Sequence, residues 1–213
     1  MSKRILCFGD SNTWGYDGQT GLRFAEDVRW TGVLQSLLGP EYTVLEEGQG
    51  GRTTVFADPV EGSKSGLAYL EPCLETANPL DLVILMLGTN DAKDRFGLNA
   101  YQISGSAKRL AEVILRHDYA PYPRPELLLI SPIEMDAAIL AENDDQNFSQ
   151  ASAERAAEFS DFFAERAREL GCHFLDAALY AEPGLADGVH LDAQNHMKLA
   201  EAIYKKTLDI LET

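Results

Sequence analysis

Polar residues of the types that acyl transfer requires follow four of the apolar stretches of this sequence. A serine hydroxyl becomes a useful nucleophile when an imidazole takes its proton, and a carboxylate can hold that imidazole in the required tautomer. The sequence supplies all three side-chain types, together with glycines and an asparagine that can donate hydrogen bonds. The four segments are Gly9-Asp10-Ser11, Gly48-Gln49-Gly50-Gly51-Arg52, Gly88-Thr89-Asn90-Asp91 and Asp187-Gly188-Val189-His190.

The spacing within these segments suggests a role for each residue. Ser11 is the candidate nucleophile, and His190, three residues after Asp187, is the candidate base. One tight turn would let the Asp187 carboxylate accept a hydrogen bond from the imidazole. The tetrahedral intermediate of acyl transfer carries an oxyanion that needs fixed donors. The backbone N–H groups of Ser11 and Gly51 and the side-chain amide of Asn90 are the candidate donors.

Each segment also has an ordinary structural interpretation. Gly-Asp-Ser and Asp-Gly are common in turns, a Gly-Gly pair can form a tight turn, and Gly-Thr-Asn-Asp can end a strand and cap a helix. His190 alone could be a surface histidine. No carboxylate lies three residues earlier in a loop for the other histidines, which are His117, His173 and His196. What distinguishes the four segments is their order along the chain and their position at the ends of predicted strands.

The elements that would position these residues alternate between strands and helices. Helical periodicity starts near Trp30, Ile103, Phe159 and Ala193, with Asp27 as a possible cap of the first of these helices. Repeated β-α units predict an open parallel sheet covered by helices on both sides, in a single domain of residues 1–213. Ligands of such sheets bind beyond the carboxyl ends of the strands. The predicted strands are Arg4–Phe8, Tyr42–Glu46, Leu82–Leu87, Glu126–Ile130 and His173–Leu175.

Composition and charge exclude several classes of function. The net charge of −16 over 213 residues argues against nucleic acid and membrane partners. No apolar stretch is long enough to span a membrane, and the first one is too short for a signal sequence. Three scattered cysteines predict free thiols in the cytoplasm. We expect no cofactor and no metal, because nucleotide-binding motifs and metal ligands at workable spacing are absent from the sequence.

The four segments together resemble the SGNH (GDSL-type) hydrolase superfamily. The similarity extends from Ile5 to the C-terminus and is greatest to the bacterial arylesterase/acyltransferase branch, in which segments similar to two further stretches recur. Those stretches are Asp27-Val28-Arg29-Trp30-Thr31-Gly32-Val33-Leu34 and Pro79-Leu80-Asp81-Leu82-Val83-Ile84. The resemblance implies a flavodoxin-like three-layer α/β/α sandwich with a five-stranded parallel sheet. It also implies the roles given above for the site residues, and assembly as a homo-oligomer.

Two departures from the family pattern bear on function. Asn12 stands where the name-giving motif has leucine, and the segment Tyr16–Ala25 is short beside that of the acyltransferase members. Plain hydrolysis is therefore the expectation, with acyl transfer as a side activity. The long stretches Gly48–Ser65 and Ser131–Asn147 are expected to be irregular and to lie near subunit contacts.

We predict a serine esterase for small short-chain acyl esters, such as aryl acetates or acetylated carbohydrates. Asn12 and Trp14 are expected to contact the substrate, although Trp14 could equally belong to the core. Two alternatives remain open from the residues alone. One is a flavodoxin-like binding domain without catalysis, and the other is a thioesterase or lysophospholipase that uses the same three residues.

Overall fold

A computed structural model describes residues 2–142 and 147–212. Its centre is a five-stranded sheet in which every neighbouring pair is parallel, with the order β2-β1-β3-β4-β5. The five predicted strands and the three-layer fold are confirmed. The strands are β1 Lys3–Gly9, β2 Tyr42–Gly48, β3 Leu82–Met86, β4 Glu126–Ser131 and β5 His173–Asp176.

Eight α-helices occur among the described residues and cover both faces of the sheet. Helices α2 and α8 pack on one face, and α3, α4 and α7 pack on the other. The helices are α1 Ser11–Trp14, α2 Trp30–Leu38, α3 Gly66–Ala77, α4 Ala100–Arg116, α5 Ala137–Glu142, α6 Gln150–Ala157, α7 Phe159–Leu170 and α8 Ala193–Leu211.

Burial on both faces explains why the central strands are apolar throughout. Along β1, Ile5 and Cys7 pack into the cluster under α2 and α8, whereas Leu6 and Phe8 pack into the cluster under α3, α4 and α7. Successive side chains of a strand point to opposite faces, so a strand covered on both sides needs apolar residues at every position. Because β1 is buried on both faces, the polar residues that follow it emerge at the carboxyl edge of the sheet.

The structure corrects two expectations about local structure. Asp27 does not cap α2, because residues 25–29 form a turn and the helix begins only at Trp30, after Arg29. The stretch Ser131–Asn147 is not irregular throughout, since it contains α5; its residues 143–146 lie outside the described residues. Helix α3, which carries Pro72 in its interior, is an element that the periodicity did not reveal.

Candidate active site

The candidate residues meet at the carboxyl edge of the sheet. Ser11 comes two residues after the end of β1 and Asn90 comes four residues after the end of β3, and these strands are neighbours. The chain leaves β1 to form β2 on one side and later returns to form β3 on the other. Such a reversal of strand order opens a crevice between the loops, where doubly wound folds bind their ligands.

A tight helical turn presents the Ser11 hydroxyl. The Asp10 carboxylate caps α1 by accepting a hydrogen bond from the Asn12 N–H at 3.0 Å. The turn ends at Gly15, whose φ of +87° suits glycine, and the Gly15 N–H donates to the Ser11 carbonyl oxygen at 2.9 Å. Burial raises the pKa of Asp10 to about 6, although the Asn12 N–H and the nearby positive charge of Arg52 act in the opposite direction.

A continuous chain of hydrogen bonds joins Ser11, His190 and Asp187. Nε2 of His190 lies 2.9 Å from the Ser11 hydroxyl oxygen, and Nδ1 lies 2.7 Å from the Asp187 carboxylate. A carboxylate only accepts, so Nδ1 carries the proton and the neutral ring leaves Nε2 as an acceptor. This geometry allows His190 to remove the Ser11 proton.

The same carboxylate shapes the loop that carries the base. The second oxygen of Asp187 accepts the backbone N–H groups of Val189 and His190, both at 2.9 Å. Burial alone would raise the pKa of Asp187, but the hydrogen bonds that it accepts from His190 and Val189 outweigh burial and lower this pKa. Asp187 therefore stays ionised and keeps the imidazole oriented.

Three hydrogen-bond donors belong to residues that line the cavity at Ser11. In the described part of the chain, the N–H groups of Ser11 and Gly51 donate to no other group. Gly51 has a φ of +77°, and a side chain there would collide with the Glu61 carboxylate, so the loop requires glycine. The Asn90 amide donates one hydrogen to the Arg52 carbonyl oxygen at 3.1 Å, which leaves its second hydrogen for a ligand.

Buried polar contacts that the sequence did not reveal fix the Gly51–Thr54 loop. The Asp91 carboxylate accepts the Thr54 N–H at 2.9 Å and also accepts the Thr54 hydroxyl. Burial raises the pKa of Asp91 to about 7 against these hydrogen bonds, and the nearby Asp10 charge adds to the rise. The Arg52 guanidinium donates to the Gly9 carbonyl oxygen at 2.8 Å. The only sequence signal for these contacts was the placement of polar residues next to two strand ends.

Asn12 has a different environment from the one that the sequence predicted. Its side chain is 3% exposed and is not among the described residues that line the cavity around Ser11. Its amide oxygen accepts the Leu191 N–H at 2.9 Å, and its amide nitrogen donates to the Val189 carbonyl oxygen at 3.4 Å. Substrate contact therefore does not fit this geometry, because the amide is engaged with the backbone on both sides of His190.

The cavity at Ser11 has a volume of about 730 Å³. Ser11, Trp14, Gly51, Asn90 and His190 all contribute to its lining. The Tyr16 ring also lines it and lies 4.4 Å from the His190 ring, centroid to centroid. A neighbouring cavity of about 780 Å³ shares His190 but is not lined by Ser11, Gly51 or Asn90, so the first cavity is the candidate substrate site.

Residues 2–142 and 147–212 contain no group of three or more His, Cys, Asp or Glu side chains arranged to hold a metal ion. Within the same ranges, none of the helices has the length and apolar character needed to cross a membrane.

Known proteins with this fold include esterases. The sequence matches the GDSL-like Lipase/Acylhydrolase family over residues 7–198. The native aryl esterase of M. smegmatis is 35% identical, with a TM-score of 0.93, over 99% of this chain and 100% of that one. A carbohydrate acetylesterase family member from Sinorhizobium meliloti is 34% identical, with a TM-score of 0.91, over 99% and 100% of the two chains.

A search of curated protein sequences finds no match. The family match covers most of the chain, and the two structural relatives align along nearly their whole length. The chain therefore belongs to the GDSL-like lipase/acylhydrolase family and is a carboxylesterase of the SGNH type.

Proposed function

We propose that residues 1–213 form one domain that hydrolyses small esters of short-chain carboxylic acids through an acyl-enzyme on Ser11. The observation that carries this proposal is the hydrogen-bond chain from Ser11 through His190 to Asp187, with distances of 2.9 and 2.7 Å. Aryl acetates and acetylated carbohydrates are the substrate classes that best suit it. They agree with the names of the relatives described above, and Trp14 and Tyr16 border the cavity at Ser11.

Acylation begins when His190 Nε2 accepts the Ser11 proton and the serine oxygen attacks the ester carbonyl carbon. The carbonyl oxygen becomes an oxyanion that accepts hydrogen bonds from the Ser11 and Gly51 N–H groups and from the Asn90 amide. The bond to the alcohol oxygen then breaks, and the imidazolium gives that oxygen its proton. Asp187 stabilises the imidazolium through Nδ1 during both transfers.

Deacylation repeats these steps with water in place of serine. His190 accepts a proton from a water molecule, and the hydroxide oxygen attacks the acyl carbon. The same three donors stabilise the second oxyanion. The bond to the Ser11 oxygen breaks, Ser11 regains its proton from His190, and the carboxylic acid leaves. Every proton that His190 accepts is returned within one half-reaction, so no external acid or base is needed.

Covalent labelling tests the assignment of the nucleophile. A sulfonyl fluoride should abolish hydrolysis of 4-nitrophenyl acetate and leave a single adduct on the peptide that contains Ser11, as read by mass spectrometry. Ser11→Ala should lose nearly all activity, whereas Ser36→Ala, which removes a hydroxyl from helix α2, should keep it. Labelling of another residue, or full activity in Ser11→Ala, would contradict the proposal.

The length of the acyl group separates this function from a thioesterase or lysophospholipase. The described lining of the cavity at Ser11 includes many polar residues, Gln49, Lys64 and Lys93 among them, and suits a small acyl group better than a long chain. The proposal therefore predicts that kcat/KM for 4-nitrophenyl esters is highest at acetyl or butyryl. A maximum at octanoyl would favour the long-chain alternative.

The proposal includes a homo-oligomer and a cytoplasmic protein that acts mainly as a hydrolase. Support for the oligomer is the family resemblance together with the long loop of residues 48–65. Free Cys7, Cys73 and Cys172 fit a reducing compartment. Light scattering at micromolar concentration tests the assembly, and a 23.4 kDa particle would contradict it. Ester formation with added alcohol, measured against acid release, gives the share of acyl transfer.

A further inference from the structure

Lys64 extends along the loop that supplies an oxyanion donor. Its backbone carbonyl accepts the Thr53 N–H at 3.0 Å, which fixes the start of the side chain. The aliphatic part passes over Gly51, with Cε 3.2 Å from the point where a Cβ on Gly51 would lie. The ammonium group donates to the Gly50 carbonyl oxygen at 2.8 Å. Lys64 and Ser11 both line the cavity, so this positive charge borders the space that the ester occupies.

Glu61, the acidic residue that shares this part of the lining, is already paired with other cations, and so is Asp58, which is not part of the lining. Glu61 forms ion pairs with Lys93 and Arg95, and Asp58 lies 2.7 Å from Arg95. Lys64 forms no ion pair with a carboxylate of residues 2–142 or 147–212. Among the described residues of the lining, Glu61 is thus paired with Lys93 and Asp187 with His190, and Lys64 is the lysine without a carboxylate partner.

The bond to Gly50 uses only part of the hydrogen-bonding capacity of this ammonium. A lysine ammonium has three N–H donors, so two remain for a ligand. A charged acceptor such as a carboxylate forms a stronger hydrogen bond with it than a neutral acceptor does. The overall charge of −16 repels anions at long range, but salt at physiological ionic strength screens that repulsion beyond about 8 Å. Contact with Lys64 is therefore the local feature able to favour an anionic substrate.

We propose that Lys64 is a specificity residue that binds a carboxylate on the alcohol portion of the ester. The inference rests on the proposed esterase function. It assigns the anionic group to the alcohol because a short acyl group such as acetyl carries none. The preferred substrate is then an acyl ester of a hydroxy acid, and the neutral ester of the same size is a poorer substrate.

A pair of esters that differ in charge but little in size tests this preference. The probes are 4-acetoxybenzoate, which is anionic at about pH 7.5, and neutral 4-acetoxybenzamide, with the corresponding 3-acetoxy pair to vary the position of the charge. The measured quantity is the ratio of kcat/KM for the anionic ester to that for the neutral one. Comparing this ratio between enzyme variants cancels the intrinsic reactivity of the two esters.

Three variants separate the charge of Lys64 from its shape. Lys64→Met keeps an unbranched side chain without charge, and the ratio should fall about tenfold for at least one pair. Lys64→Arg keeps the charge and should retain most of the preference. Lys205→Met, on the exposed side of α8, makes the same change in net charge away from the cavity and should leave the ratio unchanged. Added salt should reduce the wild-type preference.

The outcomes distinguish this inference from the proposed function. If Lys64→Met slows both esters equally, or leaves both ratios unchanged, Lys64 supports the loop or contacts no substrate, and the inference is wrong while the esterase function stands. If the wild-type protein hydrolyses neither the charged nor the neutral esters, the proposed function itself fails. Melting temperatures of all variants establish that the kinetic differences do not come from unfolding.

Discussion

Replacing Asn90 with alanine removes one of the three proposed oxyanion donors and leaves the proposed nucleophile and base unchanged. Of the two hydrogens on the Asn90 amide nitrogen, one is bound by the Arg52 carbonyl oxygen at 3.1 Å, so one is available to the substrate. Loss of a single such donor costs about 10²–10³-fold in kcat, or roughly 3–4 kcal/mol of barrier. KM should change little, because the donor acts mainly on the charge that develops in the transition state.

The same substitution also removes a hydrogen bond that holds the Gly51–Thr54 loop. The Arg52 carbonyl oxygen loses the Asn90 donor, which costs on the order of 1 kcal/mol of folding free energy. Asn90 is 4% exposed, and the substitution also leaves a small cavity. Thr54→Val serves as the matched control, since it removes the hydroxyl bond to Asp91 in the same loop but none of the three donors. Its kcat should fall less than about tenfold.

The assay is steady-state release of 4-nitrophenol from the acetate ester, with urea unfolding of each variant at the same pH. The expected result is a loss in kcat for Asn90→Ala that far exceeds the loss for Thr54→Val at similar losses of stability. Equal losses in kcat, or an increase in KM alone, would show that Asn90 acts only as an anchor of the loop. The oxyanion site would then consist of the backbone donors of Ser11 and Gly51.

Three further predictions concern the polar residues around the nucleophile. Asn12→Leu removes both bonds to the His190 loop, so kcat should fall about tenfold with little change in KM; a change in KM alone would contradict the positioning role. Asn12 and Asn90 hold different loops, so the fold losses in kcat from Asn12→Leu and Asn90→Ala should multiply in the double variant. A loss in the double variant that differs markedly from the product of the two single losses would show that the two residues do not act independently. The pKa of Asp91 is raised from the ordinary 3.8 to about 7 in the folded protein. Between pH 3.8 and about pH 7 the folded protein therefore keeps a proton on Asp91 that the unfolded chain has released. The free energy of unfolding should therefore fall across that window, and Asp91→Asn should reduce the fall; an unchanged slope in urea titrations would refute this.

Apolar runs made the sheet predictable, because strands buried on both faces carry a signal at every position. Segments such as Leu82–Met86 can be recognised without knowledge of their neighbours. The candidate catalytic residues could be predicted because parallel strands bring their carboxyl ends to one edge, so the polar residues that follow the strands meet there. Helix α3 was harder to recognise, because Pro72 within it interrupts the usual pattern of helix formers.

The role of Asn12 was not predictable from sequence, because it depends on a contact across 179 positions of the chain. Asn12 follows the nucleophile directly, so proximity in sequence suggested that it touches the substrate. In the structure the α1 turn directs its amide toward the backbone of Val189 and Leu191. The pairing of Asp91 with Thr54 is similar, since neither residue has a local pattern that identifies its partner.

Buried contacts hold both the Gly51–Thr54 loop and the loop that carries His190 to the end of β1. The Gly9 carbonyl oxygen accepts a hydrogen bond from Arg52, in the Gly51–Thr54 loop. Asn12 binds the loop that carries His190. Ser11 lies between Gly9 and Asn12 in the chain. The proposed nucleophile, the proposed base and the Gly51 N–H are therefore fixed relative to one strand end, although two of them lie on long surface loops. Since a displacement of about 1 Å can cost a large factor in rate, this arrangement explains why so many polar side chains are buried beside a small cavity.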